Sequence, residues 1–305
     1  MEVLYALERI RIPVLNEIML AITTLGEEKA FLLIAIVFFW CVDKRRGYYL
    51  LSVGFVGIVV NQFLKLLFRV PRPWVRNPNF TILEQAREGA SGYSFPSGHT
   101  QMAVGAFGGI AATEKNRVVR AICIAVAVLV PISRMYIGVH TPADVLTSVA
   151  IGVVLIFALR PIFAGDNFKK FPYVLCGMLI LASLFLCFVH FYPFPADLDM
   201  TNYISAEENA YTLMGALLAL VLGYTIDEKW LKFPVKAIWW AQVVKVTVGF
   251  ILILAVMSGL KTPLNHLFGP YIGRALRYFF VVITAGTVWP LTFRWFSAMG
   301  CKEKS

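Results

Sequence analysis

The composition of this 305-residue chain excludes an ordinary soluble domain. Apolar residues make up 59% of the sequence and charged residues only 15%, whereas a typical soluble domain has about 25% charged residues. The mean hydropathy of +0.72 is that of a chain embedded in a membrane. A net charge of +10 also suits a nucleic-acid-binding protein, but the positions of the basic residues indicate another origin for this charge.

The predicted elements are apolar helices. Several apolar runs approach the ~20 residues that a helix needs to cross the hydrocarbon. The sequence therefore predicts an all-α, polytopic helical bundle with about eight or nine spans. The runs are Phe31–Val42, Gly47–Phe68, Gly98–Thr113, Ala121–Ile137, Val145–Phe163, Val174–Tyr192, Tyr211–Ile226, Ile238–Leu260 and Tyr278–Phe296.

The N-terminal segment, residues 1–27, differs from these runs. It mixes Glu8, Arg9, Arg11 and Glu17 into apolar sequence, which is typical of a helix lying in the headgroup region or partly inserted in the bilayer. A small-residue cleavage site does not follow it, so we expect that it is not a removable signal peptide.

Basic residues alternate along the chain in a way that predicts its orientation. Five groups of three follow alternate spans, and the positive-inside rule places them, with the C-terminus, in the cytoplasm. The extracytoplasmic side then receives residues 69–95, 133–141, 197–208 and 261–273. The basic groups are Lys44, Arg45 and Arg46; Lys115, Arg117 and Arg120; Arg160, Lys169 and Lys170; Lys229, Lys232 and Lys236; and Arg294, Lys302 and Lys304.

The cysteines predict neither a disulfide framework nor a metal site. All five lie in or beside apolar helices and far from a paired spacing. They are Cys41, Cys123, Cys176, Cys187 and Cys301.

The first polar motif on the predicted outer side is basic. Lys65, Arg69 and Arg72 have the i, i+4, i+7 spacing of one helical face, until Pro71 and Pro73 break the helix. Such cations offset the charge of a phosphate, and an arginine can bind two of its oxygens at once. The simpler alternative is that Lys65 and Arg69 extend to the lipid headgroups.

The second motif, Pro96-Ser97-Gly98-His99, opens an apolar run. Ser97 is placed as the N-cap of that helix, whose free backbone N–H groups suit a phosphate, and Gly98 allows the ligand to approach closely. A capping serine beside an incidental histidine is the alternative.

The third motif joins Ser133-Arg134 to His140 and Asp144. Thr141 to Asp144 predicts a capping box with Pro142 in the first helical position. The Asp144 carboxylate is also placed to accept the ring N–H of His140, as in a catalytic triad. Placing the charge of Arg134 inside a membrane costs free energy, which favours a functional role for this residue.

In this order and spacing, the three motifs resemble the signature of the type-2 phosphatidic acid phosphatase and vanadium haloperoxidase superfamily, in its membrane-integral lipid phosphatase branch. The resemblance covers about Gly47 to Phe163. It implies a six-helix phosphatase core over residues 28–165, followed by three additional C-terminal spans within residues 166–305.

The resemblance also implies a role for each matching residue. His140 is the nucleophile that forms a phosphohistidine, Asp144 orients it, and His99 protonates the leaving group and then activates water. The non-bridging phosphate oxygens are bound by Lys65, Arg72, Ser97, the Gly98 amide and Arg134. The scheme requires neither a metal nor another cofactor.

The implied function is hydrolysis of a lipid phosphate or diphosphate at the extracytoplasmic membrane face. A lipid phosphotransferase with the same site, and a lipid-binding or transport protein that retains the fold, are the alternatives. The expected partners are the lipid substrate and membrane lipids, without nucleic acid. The sequence does not rank phosphatidic acid or its lyso form, phosphatidylglycerophosphate, polyprenyl diphosphate and sphingoid-base phosphate as substrates.

Overall fold

All regular secondary structure in the described part of the protein is helical. The structure, a computed structural model, describes residues 1–90 and 92–299, and each regular element in these ranges is a helix. The all-α prediction is therefore confirmed. Cys301, Lys302 and Lys304, which entered the sequence predictions, lie outside the described residues.

Two compact units make up the chain, and the first contains all three predicted motifs. It comprises Met1–Ala35, Tyr49–Phe168 and Tyr192–Ala206. Its helices are α1 (Glu2–Arg9), α2 (Pro13–Thr24), most of α3 (Glu28–Val37), most of α4 (Lys44–Phe68), α5 (Pro73–Arg76), α6 (Gly98–Ala103), α7 (Gly109–Thr113), α8 (Arg117–Tyr136) and α9 (Pro142–Leu159).

The second unit comprises Ile36–Tyr48, Lys169–Phe191 and the described residues from Glu207 onward. Within it, the Lys44 ammonium pairs with the Asp227 carboxylate at 2.7 Å. Its helices are α10 (Phe171–Phe191), most of α11 (Met200–Ile226), α12 (Trp239–Gly259), α13 (Lys261–Ile283) and α14 (Phe293–Ala298).

Seven helical segments in the described chain are long and apolar enough to cross a membrane, and they match seven of the nine predicted runs. The other two runs form shorter helices. A π-helical turn extends α3 to Val42, giving 15 continuous helical residues, and another joins α6 to α7, giving 16 residues over 98–113. The protein is an all-helical membrane protein. Seven segments are long enough to span the bilayer, and any further crossing is made by these two shorter helices.

Helices α8 and α9 begin at the caps that their sequences provide. The Asn116 side chain accepts hydrogen bonds from the first free N–H groups of α8. Thr141 and Asp144 form the predicted capping box of α9, with Pro142 in its first turn. The α9 cap directly follows His140 and therefore anchors the turn between the two helices on its C-terminal side.

Helices α1 and α2 pack on the C-terminal end of α8. Tyr136 and Ile137 form a buried cluster with Leu15 and Met19 of α2. The Arg11 guanidinium, between α1 and α2, donates to the Tyr136 carbonyl at 3.0 Å. Because these contacts fix the end of α8, the N-terminal helices help to position the residues that follow it.

Candidate active site

Three separate stretches of the first unit meet around His140. The Ser97 amide at the start of α6 donates to the Asp144 carbonyl in α9 at 3.3 Å. The Val139 amide donates to the Arg134 carbonyl at 3.2 Å, which closes the turn between α8 and α9. The structure thus brings the second and third predicted motifs into direct contact.

Arg72 joins the site from a loop and not from a helix. Helix α4 ends at Phe68, and Arg69 has a left-handed backbone with φ of 50°. The prediction that Lys65, Arg69 and Arg72 share one helical face is therefore wrong, because the chain leaves the helix before Pro71. From the loop, the Arg72 guanidinium donates to the carbonyls of Gly92 and Val139, each at 3.0 Å.

The same guanidinium determines which nitrogen of the His140 ring carries the proton. The Nη1 atom of Arg72 lies 3.0 Å from Nε2 of His140, and both side chains are buried. A guanidinium only donates hydrogen bonds, so Nε2 must be the acceptor and carries the lone pair. The proton of the neutral ring is then on Nδ1.

On the other side of the ring lies Asp144. Its Oδ2 is 3.6 Å from His140 Nδ1, which is an electrostatic contact slightly too long for a hydrogen bond. Oδ2 accepts hydrogen bonds from the Ser94 hydroxyl at 2.5 Å and from the Thr141 amide at 2.7 Å. Both predicted roles of Asp144, helix cap and neighbour of the His140 ring, are therefore compatible in one geometry.

Burial and positive charge keep the His140 ring neutral. Desolvation by burial lowers its pKa well below the usual value, and the charges of Arg72, Arg134 and Lys65 lower it further. His99 also acts on the ring electrostatically, so the two histidines belong to one cluster. A neutral ring with its lone pair on Nε2 is the form in which histidine is a nucleophile.

A turn that contains Gly138 places His140 between Arg72 and Asp144. Gly138 has φ of 90°, which a residue with a side chain rarely adopts. A Cβ atom there would also lie 2.9 Å from the Arg11 guanidinium. The turn that follows α8 therefore depends on a glycine at this point.

Arg134 and Lys65 supply further positive charge. Arg134 is buried, its Nη1 donates to the Thr23 hydroxyl of α2 at 3.0 Å, and its buried Nε has no partner within the described structure. The Lys65 ammonium has no salt-bridge partner among the described residues. With Arg72, these are three cations against the carboxylates of Asp144 and of Glu27, which acts electrostatically on Arg134. The cluster is therefore positive and suits the negative charge of a phosphate monoester.

The start of α6 is arranged as predicted for Ser97, Gly98 and His99. Ser97 is fully buried, and its hydroxyl accepts from the Thr100 amide at 3.4 Å, as an N-cap does. The side of Gly98 is open, since the nearest atom to a Cβ there would be Asn61 Oδ1 at 3.9 Å. The His99 ring is half-buried and makes no hydrogen bond to the described residues.

A cavity of about 380 Å³ opens beside the α9 end of the site. Its walls are formed by Thr141, Pro142 and Ala143 after His140, by Arg76 and Asn77 at the end of α5, and by Met1. The described residues contain no cluster of three or more His, Cys, Asp or Glu side chains that could hold a metal ion.

Three site residues were not anticipated from the sequence. Ser94 contacts Asp144, Thr23 contacts Arg134, and Asn61 lies one helical turn before Lys65, buried with its Nδ2 unpartnered among the described groups. The i, i+4 relation to Lys65 was a signal for Asn61. Ser94 and Thr23 had no such signal, because they reach the site only through the folding of a loop and of α2.

Comparison with known proteins shows which family the sequence resembles. Residues 45–168 match the PAP2 superfamily, and residues 211–301 match the transmembrane extension of PAP2 superfamily phosphatases. The chain is 33% identical to phosphatidylglycerophosphatase B of Bacillus subtilis over 53% of its own length and 81% of that protein. It is 31% identical to an undecaprenyl-diphosphatase of the same organism, BcrC, over 47% of its own length and 72% of the relative.

A solved structure is also similar in sequence. The crystal structure of a transmembrane PAP2-type phosphatidylglycerolphosphate phosphatase from Bacillus subtilis is 32% identical, covering 52% of this chain and 82% of that one, with a TM-score of 0.44.

The helices, the site and the sequence matches together define a membrane phosphatase. The chain belongs to the PAP2 superfamily. The matched region contains every residue of the predicted site, from Lys65 to Asp144.

Proposed function

We propose that this protein hydrolyses a lipid phosphate or diphosphate, without a metal, through a phosphohistidine at the extracytoplasmic membrane face. The observation that carries the proposal is the pair of contacts on His140. Arg72 requires the lone pair to be on Nε2, and Asp144 lies on the Nδ1 side of the ring. This is the arrangement that an attacking imidazole needs.

In the first step, the substrate phosphate enters between Lys65, Arg134 and the N-terminus of α6. Arg72 Nη1 transfers its hydrogen bond from His140 Nε2 to a phosphate oxygen, which frees the lone pair. Nε2 attacks phosphorus, and the bond from phosphorus to the leaving oxygen breaks. His99, which is protonated in the complex because the bound phosphate dianion offsets the nearby cations, gives that oxygen a proton. Asp144 stabilises the positive charge that the imidazole ring acquires.

In the second step, the neutral His99 removes a proton from water as the water oxygen attacks phosphorus. The P–N bond breaks, its electron pair returns to Nε2, and inorganic phosphate leaves. His99 is protonated again, and the site is restored. The cations bind the phosphoryl oxygens throughout, where charge develops in the transition state.

Two observations support a lipid as the substrate. The relatives of this chain are named for phosphatidylglycerophosphate and undecaprenyl diphosphate, and the site is built at the ends of apolar helices. The cavity lined by Arg76 and Thr141 offers space for the part of the substrate beside the phosphate. The alternation of basic groups along the chain supports the extracytoplasmic face.

The proposal is tested with the purified protein in detergent. Phosphate release is measured from phosphatidic acid, phosphatidylglycerophosphate, a polyprenyl diphosphate and a water-soluble phosphate ester, with and without a chelator. We expect lipid substrates to be preferred and the chelator to have no effect. Thin-layer chromatography of the products distinguishes hydrolysis from phosphotransfer, because transfer yields a new phospholipid in place of free phosphate.

Two variants test the phosphohistidine. His140→Ala should release no phosphate while keeping the thermal stability of a folded protein. His99→Ala should accumulate an acid-labile phosphoenzyme with a substrate whose leaving group needs no proton, because the hydrolytic water lacks its base. Near-normal turnover by His140→Ala would exclude His140 as the nucleophile.

A further inference from the structure

A buried cation without a partner lies in the second unit. Arg277 of α13 is 7% exposed. Its Nε is buried, and the described residues offer its guanidinium neither a carboxylate nor a hydrogen-bond acceptor. Its guanidinium carbon lies 5.4 Å from the centroid of the Tyr278 ring. An unpaired arginine inside a membrane helix is costly, which points to a function.

The neighbouring charged groups are already paired with one another. Arg274, one turn before Arg277, bonds Glu208 at 2.9 Å and the Thr212 hydroxyl at 2.9 Å. Glu207 faces His190 at 3.8 Å. Glu208 is paired with Arg274, and no carboxylate of the described residues pairs with Arg277, so the charge of Arg277 is left for a group from outside the chain.

Close packing of two helices fixes α13 here. Gly215 of α11 lies directly against Ala275, and a Cβ atom at position 215 would come within 1.9 Å of the Ala275 carbonyl oxygen. The backbones are therefore in contact two residues before Arg277, so a glycine is required at this crossing. This contact fixes the position of Arg277 relative to α11.

An unpaired acceptor lies before the kink of α13 and faces the helical segment that contains Arg277. The Oδ1 atom of Asn265 is buried and has no hydrogen-bond partner among the described residues. It packs against Gly273, since a Cβ atom there would be 2.8 Å from it. Gly273 and Arg277 are four residues apart and share a helical face. Asn265 Oδ1 therefore contacts this segment one helical turn before Arg277.

We propose that Arg277 and Asn265 bind a phosphate-type anion that also carries an O–H group. The guanidinium takes the anionic oxygen, and Asn265 Oδ1 accepts from the hydroxyl. The headgroup of an anionic phospholipid with a glycerol, and protonated inorganic phosphate, both have this chemistry. At 1.5 Å per residue, Arg277 lies about 10 Å along the helix from the kink at Gly269 and Pro270, within reach of a headgroup that enters between helices.

The test measures thermal stability in nanodiscs of phosphatidylcholine. One arm adds phosphatidylglycerol and the other adds inorganic phosphate, for the wild type, Arg277→Leu and the matched control Lys261→Leu. Lys261 is an exposed cation of the same helix. Because the catalytic site also binds phosphate, the result is the difference between variants. A bound ligand stabilises the folded state, so we expect a rise of several degrees for the wild type and the control only.

The two arms identify the source of the anion. A response to phosphatidylglycerol assigns the site to lipid, and a response to phosphate alone assigns it to free phosphate. Equal responses of Arg277→Leu and the wild type in both arms overturn the proposal. If Arg277→Leu does not fold, photoactivatable phosphatidylglycerol is crosslinked to the wild type, and the absence of label between residues 261 and 283 likewise overturns a lipid site. These readouts do not depend on phosphatase activity.

Discussion

The His140 ring lies between a donor and an acceptor that have opposite effects on its two nitrogens. Arg72 fixes the lone pair on Nε2, and Asp144 attracts the proton on Nδ1. Burial and the surrounding cations prevent the second protonation that would inactivate the nucleophile.

The first prediction concerns the pH at which this ring gains a proton. Protonation would add charge to a buried, cationic site. His140 should therefore remain neutral even at about pH 6, which is below the pKa of ~6.5 of free histidine. The ¹⁵N spectrum of histidine-labelled protein should show one histidine with a protonated Nδ1 and an unprotonated Nε2 at this pH, and His140→Ala should remove it. A His140 ring that carries its proton on Nε2, or is half-protonated at or above about pH 6.5, would contradict the assignment.

The second prediction concerns Ser94, which donates to Asp144 Oδ2. Ser94→Ala should lower kcat about tenfold, equivalent to about 1.4 kcal/mol, because the carboxylate is no longer held beside His140. The matched control is Ser148→Ala, since the Ser148 hydroxyl donates to the backbone carbonyl of Asp144 at 3.0 Å. Its kcat should be close to that of the wild type. An unchanged kcat in Ser94→Ala would show that Asp144 needs no such support.

At the scale of the helices, α2 belongs functionally to the site, although its sequence carries no motif. Thr23 near its C-terminus bonds Arg134, and its apolar residues pack on the end of α8. The N-terminal helices therefore determine how rigidly the phosphate-binding arginine is held.

The third prediction separates this contact from general helix stability. Thr23→Val removes the acceptor of a charged hydrogen bond, worth about 1.5–3 kcal/mol, and kcat/KM should fall by about tenfold or more. Thr24→Val is the control, because the Thr24 hydroxyl donates to Ala21 within its own helix and should leave kcat/KM unchanged. Equal effects of the two substitutions would mean that α2 acts on stability alone.

At the scale of the whole molecule, the open question is which helices cross the bilayer. The helix over residues 98–113 has 16 residues and is about 24 Å long at 1.5 Å per residue. This is somewhat short of the ~30 Å hydrocarbon core, yet the proposed orientation requires this helix to cross the bilayer.

The fourth prediction tests this crossing. Cysteines are placed at Gln85 and, separately, at Asn116, in a variant without the native cysteines. An impermeant maleimide added to intact cells should label the Gln85→Cys protein and leave the Asn116→Cys protein unlabelled until the membrane is opened. Labelling of both from outside would place the two ends of this helix on one side and contradict the proposed orientation.

The class of the fold and the residue types of the proposed site could be predicted from local sequence patterns. Apolar runs predicted helices because a membrane chain must satisfy its backbone internally, and seven of them are long enough to span. The capping box from Thr141 to Asp144 was readable because a cap is a local interaction. The chemistry of His99, His140 and the three cations was recognisable because residue types and their order carry it.

Only the tertiary structure decided how these groups meet. The helical spacing from Lys65 to Arg72 suggested a shared face, but the chain leaves the helix at Phe68 and Arg72 approaches His140 from a loop. Ser94, Thr23 and the unpaired Arg277 became visible only when distant segments packed together. A side chain's partners depend on contacts between remote parts of the chain, and neither local propensity nor hydrophobic period encodes them.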